Sequence, residues 1–193
     1  MVRQECLNRL AVPYRTIVAD PPWAYPEGFA TQPRSKGKWE GPVNHASALP
    51  YRAMSVWEIC ALPVTSLAER DCRLFLWATN KYLRQAFMVM DAWGFEYRQT
   101  LTWDKRDSLN GSITPNSEFL LVGVRGSPPI VTRLPSAVIR ASQTKEHSQK
   151  PDVFTDLIEQ VSPGPYVELF ARRHRLGWDV WGNESANTAS LTA

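Results

Sequence analysis

Hydrophobic positions fall in short runs along this chain, separated by polar segments rich in turn formers. Tyr14-Arg15-Thr16-Ile17-Val18-Ala19 predicts a buried strand ending at about Ala19, and Arg73 to Ala78 (RLFLWA) predicts a second. Ser55 and Glu58 have the spacing of a capping box, which starts a short helix that ends before Pro63. Asn80 is the expected cap of an amphipathic helix from Lys81 to Trp93, with Gly94 as its C-terminal stop. Residues 95 to 103 (FEYRQTLTW) and 118 to 125 (EFLLVGVR) read as strands that pair as a long hairpin across the polar loop DKRDSLNGSITPNS. A short strand at Ala137 to Ala141 and a helix from about Pro151 to Val161 follow. YVELFA and GWDVWG are the last two strands, and the chain has no internal repeat.

Residues 26 to 50 are rich in Gly, Pro, Lys and Ser without periodicity, the mark of a functional loop or lid. That loop and the one at 104–117 are expected to be mobile. The small, polar residues 185–193 are expected to fray as a flexible tail behind one domain at 1–184. Strands alternating with helices imply a Rossmann-like α/β sheet, mainly parallel with an antiparallel portion. In such sheets ligands gather outside the carboxyl ends of the strands. Asp20-Pro21-Pro22-Trp23 and Phe170-Ala171-Arg172 each follow a strand directly, so both are predicted on one rim.

Composition narrows the class. At 193 residues the chain is long enough for one domain with a sizeable core and too short for two comfortable ones. Apolar residues are 44% and charged residues 21%, which argues against global disorder. No apolar stretch approaches the roughly 20 residues of a membrane span, and MVRQECLNRL lacks the apolar core of a secretory signal. Cys6, Cys60 and Cys72 form no C-x-x-C pair, so neither a disulfide framework nor a metal site is indicated and a cytoplasmic setting is expected. A net charge of +3 is compatible with a polyanionic partner. Some of the eight tryptophans lie beside turns, where a flat ring can meet a base.

The stretch ADPPW carries the candidate chemistry. The exocyclic amine of adenine is a poor nucleophile because its lone pair is delocalised into the ring. Acceptors on its two N–H bonds favour a pyramidal nitrogen with that lone pair free. Asp20 offers a carboxylate, and the carbonyl of Pro21 is a second acceptor in a backbone that Pro22 stiffens. Acceptors fixed in advance favour charge that appears only in the transition state. Trp23, with Tyr25, can hold the base by stacking, worth about 1–3 kcal/mol. The plainer alternative has Asp20 capping a turn and Trp23 in the core.

ADPPW at a strand end resembles the signature of amino-group methyltransferases that use S-adenosylmethionine. The chain as a whole is similar to the adenine-N6 methyltransferase family of the catalytic subunit of the eukaryotic messenger-RNA adenosine methyltransferase and its small bacterial and phage relatives. VADPPW, FLWATN, NSEFLLVGVRG, EHSQKPD, IEQVSPGPYVELFARR and GWDVWGNE occur in the family's order between residues 15 and 184. The resemblance implies a permuted fold, with the catalytic strand first and the cofactor-binding strand near the C-terminus. It assigns catalysis to Asp20, Pro21, Pro22 and Trp23, with Asp20 also touching the cofactor. Lys150 matches a lysine that meets the carboxylate of the cofactor's methionine part. Glu168, Leu169, Phe170, Ala171 and Arg172 match the segment beneath its ribose and methionine portions, and Asn183 and Glu184 the adenosine end. His147 and Ser148 have a supporting place.

On the substrate side the resemblance puts Asn116 and Glu118 beside the target base. Tyr25, Trp39 and Tyr51 are candidate stacking or lid residues. Arg34, Lys36, Lys38, Lys105 and Arg106 are candidates for phosphate contacts, which give affinity without sequence choice. The eukaryotic enzyme's extra RNA-binding segments and a separate DNA-recognition domain are not seen here, so target choice would fall to the loops. The implied reaction is methyl transfer from S-adenosylmethionine to the N6 amine of adenine in a polynucleotide, DNA favoured over RNA, without metal. A duplex target would be flipped out at about a few kcal/mol. A silent nucleic-acid-binding relative and a methyltransferase for another planar amine, such as protein glutamine, are the alternatives. Monomer and homodimer both stay open.

Overall fold

The computed structural model describes residues 13–24, 53–105, 116–143 and 149–182. Seven strands form one sheet: β1 (Tyr14–Ala19), β2 (Ala68–Thr79), β3 (Glu96–Asp104), β4 (Ser117–Arg125), β5 (Val138–Arg140), β6 (Tyr166–Leu169) and β7 (Trp178–Trp181). The helices are α1 (Val56–Cys60), α2 (Val64–Leu67), α3 (Leu83–Ala92) and α4 (Asp152–Val161). Across the sheet the order is β5-β3-β4-β2-β1-β6-β7. β1 runs parallel to β2 and β6, β6 to β7, and β3 to β5, whereas β4 is antiparallel to both its neighbours. The expected antiparallel portion is therefore a single reversed strand. Its amino end shares a rim with the carboxyl ends of the other six.

Apolar runs without alternation arise because both faces of the sheet are covered. Ile17, Leu74 and Leu76 face the side packed by Val89, Met90 and Trp93 of the α3 region. Their chain neighbours Val18, Phe75 and Trp77 face the opposite side with Phe154 and Ile158 of α4. There Trp77, Trp103 and Phe154 meet edge to face, with centroids 4.9 to 6.2 Å apart. Such rings contribute about 0.5–1.5 kcal/mol per pair beyond their area.

Three local expectations change. β2 begins five residues earlier than its apolar run, because β4 pairs with it as far as Cys72 and β1 with Ala68. Within that strand Arg73 is 6% exposed, its guanidinium donating to the carbonyls of Pro128, Pro129 and Val161 and to Ser162 Oγ. Asn80 does not cap α3. It opens a 3₁₀ turn, Asn80–Tyr82, and its amide donates to Ser117 O at 3.1 Å. α2 is a single turn after Pro63, too short to show a helical period. Ser55 and Glu58 do form a capping box, and Gly94 ends α3 at φ +75°, where glycine has no Cβ penalty. Among the described residues no helix is long and apolar enough to cross a membrane.

Candidate active site

β1 delivers Asp20 to the rim, where its amide donates to Leu169 O of the neighbouring β6. The chain then turns sharply. The Trp23 amide donates to Pro21 O at 2.9 Å, the Met54 amide to Pro22 O at 2.8 Å, and the Ala24 amide to Met54 O at 3.1 Å. Pro21 O thus lacks a helical partner, as its sequence context implies, but one of its lone pairs is taken by Trp23.

Trp23 itself needs correction. Its ring is 5% exposed and stacks on Tyr82 at 5.2 Å and 11°, while the Tyr82 hydroxyl donates to Ala24 O. The indole is an anchor for the Asp-Pro-Pro corner rather than an open platform for a base. The plainer reading of this one residue is the one its placement supports. Trp23 Nε1 is buried and makes no hydrogen bond among the described residues.

Opposite Asp20, β6 ends at Leu169 and the chain passes through Phe170 at φ +66°. Phe170 meets Trp181 edge to face at 5.2 Å, and the Ala171 amide donates to Trp181 O at 3.1 Å. Gly182 makes this approach feasible, since a Cβ there would lie 2.2 Å from Ala171 O. A bidentate ion pair from Arg175 to Glu159, shared with the Trp178 indole N–H, braces the same turn against α4. Leu169 and Ala171 are fully buried and are not among the residues that line the cleft described next.

Asp20, Trp77, Lys150, Glu168, Phe170 and Arg172 line one cleft. The two rim features predicted from sequence therefore face each other. Lys150 Nζ lies 2.9 Å from Asp20 Oδ2 and 3.3 Å from Glu118 Oε2, above the Trp77 ring at 5.2 Å. Burial alone would lower the Lys150 ammonium, but Asp20 and then Glu118 outweigh it and hold its pKa above the ordinary value. Glu118 is likewise pushed up by burial, yet the charge of Lys150 and the contacts of Lys105 bring it below the usual carboxylate range. Glu168 moves the other way, up to about 7, through burial first and the Asp20 charge second, with Lys150 and Arg175 offsetting part.

Lys105, Asn116 and Glu118 sit together at the rim end of β3 and β4, beside the cleft rather than in its lining. The Lys105 amide donates to Asn116 O at 2.8 Å, and its ammonium pairs with Glu118 Oε1. The loop expected over 104–117 is shorter at its base, because Asp104 and Ser117 pair within the hairpin. Tyr25, Trp39, Tyr51, Asn183, Glu184, His147, Ser148, Arg34, Lys36, Lys38 and Arg106 lie outside the described residues, as does Cys6. Trp77, Gln149 and Thr155 also line the cleft and were not anticipated. An aromatic within an apolar strand carries no signal that separates a cleft wall from core.

A family model described as MT-A70 matches residues 14–184. The type II methyltransferase M.MunI of Mycoplasma sp is 32% identical over 181 residues, covering 89% of this chain and 77% of that protein. A putative N(6)-adenosine-methyltransferase MT-A70-like protein of Medicago truncatula is 29% identical over 194 residues, 94% of this chain and 27% of its own length. The human N(6)-adenosine-methyltransferase catalytic subunit METTL3 is 26% identical over 183 residues, 89% of this chain and 28% of its own length. The chain thus spans about a quarter of these two eukaryotic relatives and most of the Mycoplasma one. With every strand of the sheet inside the matched span, the chain belongs to the MT-A70 family of methyltransferases.

Proposed function

We propose that this chain methylates the exocyclic N6 amine of adenine in a polynucleotide, with S-adenosylmethionine as methyl donor and DNA as the favoured acceptor. One observation carries the reading: Asp20, at the head of the Asp-Pro-Pro corner, and Glu168, Phe170 and Arg172 line the same cleft, with Lys150 beside Asp20. The type II methyltransferase relative, matched over most of its length, and the N(6)-adenosine-methyltransferase relatives support the reaction, and the family resemblance is the ground for favouring DNA.

The donor set fits the methyl donor. Lys150 offers a cation for its carboxylate, Glu168 an acceptor or, near neutrality, a proton donor, and Phe170 an apolar wall. Asn183 and Glu184, the second and third residues after β7, are assigned to its adenosine end by the family resemblance. S-adenosylmethionine, when bound, supplies a methyl carbon made electrophilic by its sulfonium. Asp20 accepts one N–H of the target amine, and the remaining lone pair of Pro21 O accepts the other. The freed nitrogen lone pair would take the methyl carbon as its bond to sulfur breaks, the sulfur leaving as the neutral thioether of S-adenosylhomocysteine, and the extra proton on nitrogen would then leave to water. Trp23, locked on Tyr82, keeps both acceptors from swinging away. A duplex target has to present its adenine outside the stack, which costs about a few kcal/mol.

Offering tritiated S-adenosylmethionine to adenine-containing DNA, RNA and a protein extract side by side tests the reading. Label recovered as N6-methyladenine from DNA is the expected result. Label confined to protein, or no transfer with the cofactor bound, refutes it.

A further inference from the structure

Four charges alternate along the rim, Lys105, Glu118, Lys150 and Asp20, contributed by the end of β3, the start of β4, the segment before α4 and the end of β1. The side chains are only 14 to 18% exposed, so each charge depends on its neighbours rather than on water. Lys150 already serves two carboxylates. A third, arriving with the methyl donor, would meet both at close range in a medium that screens poorly.

One of the two resident acids has to yield. Among the described residues, the ion pair of Asp20 is with Lys150. Glu118 differs, because its other oxygen holds Lys105. Glu118 can release Lys150 and remain paired, whereas Asp20 has no second ion pair among the described residues. Lys105 is itself well held, with its ammonium 4.7 Å above the Trp103 ring and its amide bonded to Asn116. It does not line the cleft.

We propose that Lys105 is a positioning residue for the methyl donor: by keeping Glu118 paired, it lets Lys150 turn to the donor's carboxylate. The inference rests on the function proposed above. Without Lys105, Glu118 depends on Lys150 and competes with the incoming carboxylate.

Calorimetric titration of the full chain with S-adenosylhomocysteine, which carries the same carboxylate, tests this with no nucleic acid present. Lys105→Met should weaken binding about fivefold to twentyfold, and Lys105→Arg should restore it. In a Glu118→Gln background, adding Lys105→Met should change affinity less than twofold, because the competitor is gone. Thermal melts accompany each variant, and Lys105→Gln replaces Lys105→Met should the latter unfold. Unchanged affinity in Lys105→Met overturns the proposal. Equal weakening with and without Glu118→Gln also overturns it, since the lysine would then act directly as a distant charge. A parent chain that binds no S-adenosylhomocysteine refutes the functional reading instead, and this inference with it.

Discussion

Lys150 places its ammonium nitrogen 2.9 Å from the Asp20 carboxylate across 130 residues of sequence. That contact joins the first strand of the sheet to the segment leading into its last helix. It makes a single site of two stretches that look unrelated along the chain. In the function proposed above, it sets the acceptor Asp20 beside the cation for the donor's carboxylate, so that binding and chemistry would share one electrostatic centre.

Asp20→Asn keeps the size of the side chain but weakens it as an acceptor for the target amine. Removing one preorganised partner of this kind typically lowers turnover about 100- to 1000-fold. Single-turnover methylation should show that loss, while calorimetric affinity for S-adenosylmethionine stays within a few-fold. Turnover equal to the parent's would remove Asp20 from the chemistry.

Glu168 gives a pH dependence of defined sign. Its folded pKa is about 7 against an ordinary value of 4.5. Between those values the folded chain holds more protons than the unfolded one, so stability falls as pH rises through this window. Glu118, shifted downward, acts in the opposite sense and only below about its unfolded value, so it leaves the interval from pH 5 to 8 largely to Glu168. Melts of the unliganded chain should drop by several degrees between pH 5.5 and 8. Glu168→Gln should flatten that slope, and an unchanged slope in the variant would assign it to other groups.

Gly182→Ala probes the close passage of β7 against the turn at 170–171. The added carbon would sit 2.2 Å from Ala171 O and 2.8 Å from Ala171 N, both backbone atoms with little room to move. Overpacking of this kind costs about 1–3 kcal/mol. A lower urea midpoint together with weaker S-adenosylhomocysteine binding is expected, since the displaced turn carries Phe170 and Arg172. A midpoint equal to the parent's would show that the turn yields freely.

Trp23→Ala empties a buried site against Tyr82 and should destabilise by about 3–5 kcal/mol. Trp23→Phe keeps an apolar ring there and should retain most of the stability. If the indole only anchors the corner, Trp23→Phe leaves the affinity for adenine-containing substrate within a few-fold. A large rise in KM at unchanged stability would instead return Trp23 to a base-stacking role.

Strands were legible where apolar runs had clear polar borders. β1 ends at Ala19 as its pattern implies, because the next residue is a carboxylate followed by two prolines. Asn80 misled, since a good capping residue is also a good hydrogen-bond donor. The nearby β4 carbonyl of Ser117 took its amide. Within the site, Asp20 stood out through the residue types around it, whereas Lys150 was singled out only by the family resemblance. The burial of Trp23 was not, because a tryptophan after a turn looks the same whether its face meets a base or Tyr82.

By itself the sequence determined the order of the strands and of the helices other than α2, the stiff acidic corner after β1, and the family, since residue types and local spacing carry all of these. Tertiary structure alone decided that β4 lies between β3 and β2, that Trp23 faces inward, and that Lys105, Glu118, Lys150 and Asp20 form one chain of charge. The physical reason is that ion pairing and burial depend on separations of a few ångströms, and sheet register sets those between residues far apart in sequence.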